Sequence, residues 1–175
     1  LVVNHISNTL SDFIKNTDHL EINDKSAVLQ AGFEFAVSEF TQSPEVAQEI
    51  VNIANASTKL MEEIINEATG VKELLNILSS NKDGYVYTHS LLASYVADHI
   101  VKKVSWGGEG HIEKINFVLF FHDIMLAPLY LKYPKLKYEE DLLFNSELSN
   151  KEKEIVLHHP RLAAEMVMSF KKIPM

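Results

Sequence analysis

Three short stretches carry the side chains with the most to offer chemically: His89-Ser90, His122-Asp123 and His159-Pro160. Imidazole nitrogen and carboxylate oxygen are the donors that suit iron, manganese, zinc or nickel. The sequence has no cysteine, so disulfides, thiolate zinc sites and Cys nucleophiles are excluded. Any metal must therefore be held by His, Asp, Glu or water. His122-Asp123 lies within the apolar run 117–126, where an ionisable pair is costly to bury unless partners or a metal compensate. By i, i+3, i+4, i+7 spacing, Ile115, Val118, Leu119 and His122 share one helical face, so His122 is expected to point where core residues point. The bland alternative is a core His bonded to a neighbouring carbonyl, with Asp123 capping a helix end. His89 projects from a second apolar stripe with Ala93, Val96 and Ile100. His159 occupies a kink before Pro160, from which a side chain can reach into a pocket. Three inward imidazoles and one carboxylate from separate helices favour a metal site over coincidence.

The elements that must position these groups read as helices throughout, an all-α chain. Asn-Gly and Asp-Gly hairpin signals between alternating apolar runs are missing. Residues 26–40 carry apolar groups at helical spacing, and Ser43-Pro44-Glu45 is a helix start, with a Ser cap and Pro at the first helical position. That helix runs over 44–68, with Gly70 placed to end it, and a short one follows over 71–78. The polar turn 79–84 is the expected internal boundary. It separates an N-terminal helical region, 1–80, of regulatory or dimerising character, from a second region, 81–175. The second region begins with a long helix (85–104), a flexible link at Gly107-Gly108-Glu109-Gly110 and a helix over 112–125. After an irregular segment containing Pro128 and Pro134, Ser149 and Glu152 have capping-box spacing. The helix they open should bend at His159-Pro160, because Pro disfavours helical geometry in the residue before it. A last helix is expected over 160–170.

The remaining residues narrow the classes. Among 175 residues, 16 Lys and Arg face 24 Asp and Glu, a net charge of −8, which argues against nucleic-acid backbone binding. A 46% hydrophobic content supports a real core and excludes wholesale disorder. Leu1-Val2-Val3 lacks a basic leader, and the longest apolar candidate, 117–131, carries His122-Asp123 in its middle. A cytoplasmic protein with no membrane span is the expectation. His99 falls off the His89 stripe, and His158 reads as a solvent-side neighbour of His159. His5, His19 and His111 sit in polar surroundings and are not assigned as ligands. The charged run 151–154 reads as a solvated helix face, and Met166 and Met168 as packing or interface residues.

In order and spacing, the three stretches resemble the HD superfamily, and more narrowly the HD-GYP domains, metal-dependent cyclic di-GMP phosphodiesterases. The resemblance covers 81–175: Asp83-Gly84-Tyr85 leading to His89-Ser90, then His122-Asp123-Ile124, then Leu148 to Glu154 leading to His159-Pro160. The spacings are 33 and 37 residues, the second being longer than the family's usual one. The resemblance implies two divalent metal ions, with iron or manganese favoured over zinc or nickel. Asp123 would bridge them, His89 and His122 would bind the first ion, and His159 the second. A bridging hydroxide would attack a phosphodiester, such as a cyclic dinucleotide or another small phosphoester, with catalysis supplied by positioning and charge.

The family's Gly-Lys after His-Asp-Ile is here Met125-Leu126, with Lys132 or Lys135 as the substitutes to consider. Tyr85 stands where some members place a third-metal Glu, which implies two metals at most. The chain ends at Lys172-Ile173-Pro174-Met175, before the family's His-His-Glu, Gly-Tyr-Pro and final Asp. With so few ligands per ion, residues 1–175 alone are expected not to hydrolyse cyclic di-GMP at a useful rate, even with metal bound. Two readings therefore stand. One is a phosphohydrolase. The other is a degenerate module that binds metal, nucleotide or a protein partner, including a second copy of itself, without catalysis. A third, purely structural reading leaves all four residues without a ligand.

Overall fold

The computed structural model describes residues 2–42, 47–80, 85–136 and 138–170, and their side chains except those of 2–7, 41, 42, 47, 80 and 85. Among the described residues every regular element is helical, as the sequence predicts. The order is α1 (Val2–Lys15), α2 (Ile22–Gln42), α3 (Ala47–Glu67), α4 (Val71–Ser80), α5 (Tyr85–Val101), α6 (Glu109–Phe121), a 3-10 turn (Ile124–Leu126), α7 (Ala127–Lys132), α8 (Glu139–Leu143) and α9 (Asn150–Met168). The expected start at Ser43-Pro44-Glu45, most of the expected turn 79–84, the side chains of His5 and Tyr85, and 171–175 lie outside the described residues.

One hydrophobic cluster joins the two stretches of chain on either side of residue 80. Leu29, Phe33, Ile53, Leu60 and Ile64 from α2 and α3 meet Leu91 of α5 and Phe117, Phe120 and Phe121 of α6. Phe33 and Phe120 have ring centroids 4.2 Å apart, and Phe121 meets Phe170 at 5.3 Å. Lys25 is buried and reaches Glu63 at 3.2 Å and Glu67 at 2.5 Å, tying α2 to α3. Those partners hold its pKa above the usual value, the Glu67 bond most of all, against the opposing effect of burial. A smaller cluster of Leu126, Leu129, Leu142, Leu148 and Val156 seats α7, α8 and α9 together.

The expected stripes of α5 and α6 face the wrong way. α5 buries Tyr87, Ser90, Leu91, Ser94 and Asp98, leaving Val96 54% and Ile100 56% exposed. α6 buries Ile112, Asn116, Phe117, Phe120 and Phe121, with Val118 56% exposed. Both helices carry apolar residues on more than one face, so periodicity did not decide which face turns inward. The Gly-rich link is also more constrained than a flexible connector. A Cβ on Gly107 would lie 1.8 Å from the Val101 carbonyl oxygen, so only glycine fits this close turn between α5 and α6. α6 starts at Glu109 and ends at Phe121, which puts His122-Asp123 in a turn and not mid-helix.

The Pro128–Pro134 segment is partly helical, because Pro128 sits in the first turn of α7, where its missing N–H costs nothing. α9 shows the largest difference: it continues through Pro160 as one helix, with no break between His159 and Pro160. The run Glu109–Lys132 meets the length and composition of a bilayer span, beyond the expected 117–131. The structure divides it among α6, the 3-10 turn and α7, and half of its most apolar window is buried.

Ser149 and Glu152 form the expected capping box, and Glu152 also binds Lys132 Nζ at 2.6 Å. The run 151–154 is therefore more than a solvated face. The Lys132 bond, then the Ser149 hydroxyl and amide, pull the Glu152 carboxyl down to about 2. Its contribution to joining α7 and α9 is full above pH about 4.5 and is lost as pH falls toward 2. A carbon-detected NMR titration of Glu152 should give a midpoint near 2 that rises toward the ordinary carboxylate range in Lys132→Met. Phe120→Ala should cost about 3–5 kcal/mol in chemical denaturation, since its ring fills the contact between α2 and α6.

Candidate metal centre

His122 and Asp123 follow directly on Phe120 and Phe121, whose rings are fixed in the core. The chain leaves α6 here and enters the 3-10 turn, with Leu126 N–H donating to the Asp123 carbonyl. That turn aims the Asp123 side chain inward, where it is 3% exposed. The carboxylate makes no capping hydrogen bond, so the bland role considered for it is absent.

Three imidazoles surround this one carboxylate. His89 Nε2 of α5 lies 3.6 Å from Asp123 Oδ2, and His122 Nε2 lies 3.3 Å from the same oxygen. His159 Nε2 of α9 approaches the other oxygen, Oδ1, at 3.4 Å. His89, His122 and Asp123 each bring a ligand atom within 4.8 Å of one another. The rings of His89 and His122 are 5.1 Å apart, and His89 forms the open edge with its side chain 44% exposed. All four residues singled out in the sequence thus meet. They do so at the rim of the core and not, as the helical stripes suggested, in its interior.

The histidine tautomers follow from the hydrogen bonds. His122 Nδ1 is 2.6 Å from the Leu119 carbonyl, and His159 Nδ1 is 2.7 Å from the Val156 carbonyl. A carbonyl only accepts, so each Nδ1 carries a proton and each Nε2 is the ring atom turned toward Asp123. This backbone anchoring of the distal ring nitrogen is the usual support of a metal-binding histidine. Burial, the largest influence, pushes the His122 pKa below its ordinary value, against the pull of Asp123 and the Leu119 carbonyl. That shift favours the neutral imidazole, the form that ligates.

Pro160 explains why His159 is held this way. In an uninterrupted helix the Val156 carbonyl would accept from the N–H of residue 160, which proline lacks. The freed carbonyl accepts from His159 Nδ1 instead. Sequence reasoning placed His159 beside Pro160 but assigned the proline to a kink; its role here is to release a backbone acceptor.

His122 Nε2 and Asp123 Oδ2 are both buried and have no hydrogen-bond partner. Leaving such atoms unpaired costs about 1–3 kcal/mol each, more for a charged group. A divalent cation is chemically suited to both, so the residues present fit a metal. The other histidines with described side chains stay apart as expected: His158 is exposed and paired with Glu154 at 3.2 Å, His99 bonds to the Tyr95 carbonyl, and His111 rests against the exposed Trp106. His19 is also exposed. Lys132 is engaged by Glu152, and Leu126 is fully buried in the smaller cluster.

Pro160→Ala tests the anchoring directly. The new N–H should reclaim the Val156 carbonyl, raising helix stability while freeing the His159 ring. Long-range nitrogen-15 NMR should show one His159 tautomer, protonated at Nδ1, in the parent and a mixture in the variant.

The chain matches no protein-family model, no curated protein and no solved structure.

Proposed function

We propose that this chain carries a divalent-metal centre of a phosphohydrolase, acting on a small phosphoester such as a cyclic dinucleotide. The observation that carries this reading is the buried Asp123 carboxylate with two imidazole nitrogens at one oxygen and a third at the other. That division suits a carboxylate shared between two ions, His89 and His122 serving one and His159 the other. It agrees with the HD-GYP resemblance of the sequence. Ions bound there would supply Lewis-acid activation of water and neutralisation of phosphate charge.

The chain's own residues contribute position. Asp123 fixes the separation of the two ligand sets because both oxygens belong to one carboxylate. The Leu119 and Val156 carbonyls hold the His122 and His159 rings in ligating tautomers. His89, on the exposed edge, borders the side from which a substrate would approach. Iron and manganese are the favoured ions, and zinc and nickel accept the same donors.

A second reading, binding without turnover, has its own support. The positions after Ile124 bring Met125 and Leu126 where a phosphate-contacting lysine would be useful. Lys132 is already paired with Glu152. In this reading the module would hold metal, nucleotide or a protein partner.

Metal analysis of the purified chain separates these readings from a purely structural one. Asp123→Ala should lower metal affinity by at least about tenfold, whereas His158→Ala should leave it unchanged. Equal loss in the two variants would overturn the assignment of His159 over His158. Hydrolysis of bis(p-nitrophenyl) phosphate that disappears in His122→Ala makes the centre catalytic. Bound metal without such turnover favours the second reading.

A further inference from the structure

A cleft of about 400 Å³ lies between α1 and α3, formed by different residues from the metal centre. Asn8, Ser11, Asp12 and Lys15 line it from α1, and Asn52, Asn55, Ala56 and Lys59 from α3. Each set has the spacing i, i+3, i+4, i+7, so each is one face of its helix. Seven of these eight side chains are polar. Asparagine is a poor helix former, so three of them on facing helices are not explained by helix stability.

Ser11 supplies the second observation. It is 3% exposed, and its hydroxyl has no hydrogen-bond partner. A helical serine commonly returns its proton to a carbonyl one turn back; this one, beside the cleft, makes no such bond. Lys59 is exposed and makes no ion pair among the described residues, while Lys15 has Asp12 only at 3.7 Å. Two ammonium groups against one carboxylate leave the cleft locally cationic on a chain whose net charge is −8.

We infer that this cleft binds a small hydroxylated organic anion, with its carboxylate or phosphate between Lys15 and Lys59. Its hydroxyl groups meet Ser11, Asp12 and the asparagine amides. The cleft volume falls in the range of small-molecule sites. Asp12 admits hydroxyl donors and disfavours a second anionic group, so a sugar phosphate or sugar acid suits the lining better than a polyanion.

The experiment follows the Asn52 and Asn55 side-chain amide signals of the full chain by NMR. Ribose 5-phosphate and gluconate are the two anionic probes, with ribose and sodium chloride at matched ionic strength as controls. A saturable shift with at least one anion, and none with ribose or salt, is expected; which anion saturates tells phosphate from carboxylate. Lys59→Gln should raise Kd by about tenfold and Ser11→Ala by about fivefold. His89→Ala should keep the parent Kd, which separates this site from the metal centre. No saturable shift with either anion, or an unchanged Kd in Lys59→Gln, would overturn the inference. Lys59 is exposed, so that variant tests binding without disturbing the fold.

Discussion

Asp123 is an acid whose side chain is 3% exposed, held among three imidazoles and bonded to none of them through Oδ2. A carboxylate in that position is stable only if positive charge or a proton accompanies it. The rest of the arrangement follows from that requirement. α5 and α6 must pair closely enough for His89 and His122 to share one oxygen. α9 must cross the 3-10 turn so that His159 reaches the other.

Two features outside the ligand set meet these demands. The glycine at 107 permits a turn that brings the chain against the Val101 carbonyl, so α6 returns along α5 within reach of His89. The proline at 160 removes one helical donor without breaking α9, and the spare carbonyl orients His159. In both cases the backbone does what a side chain would otherwise have to do. Neither residue touches the carboxylate, yet each sets the direction from which a ligand atom arrives.

The polarity of α5 reflects the same geometry. Ser90, Ser94 and Asp98 turn inward, while Val96 and Ile100 turn outward with His89. A helix chosen for burial alone would reverse this pattern. With Asp123 fixed by the aromatic anchors of α6, α5 must rotate to present His89 toward it, and the small serines allow the close approach. The Asp98 charge that this rotation buries is met by Lys102 at 2.6 Å, one turn on.

The sequence by itself determined the all-α architecture, since helical periodicity and caps are local properties. It also determined the four residues that converge, because imidazole and carboxylate are costly in apolar segments unless they have partners. It did not determine how they converge. Helical spacing placed His89 and His122 on apolar faces and implied that those faces were buried. In helices with apolar residues on more than one face, spacing cannot say which side turns inward. Only the packing of Phe117, Phe120 and Phe121 against α2 and α3 decided that, leaving both histidines at the core's edge. The continuation of α9 through Pro160 was likewise a tertiary outcome. A local rule predicts a boundary there, but Val156 and Ala163 are buried on either side of the proline and hold the two turns in line. The division of Asp123 between two ligand sets depends on three helices meeting at once, and no pair of neighbouring residues encodes it.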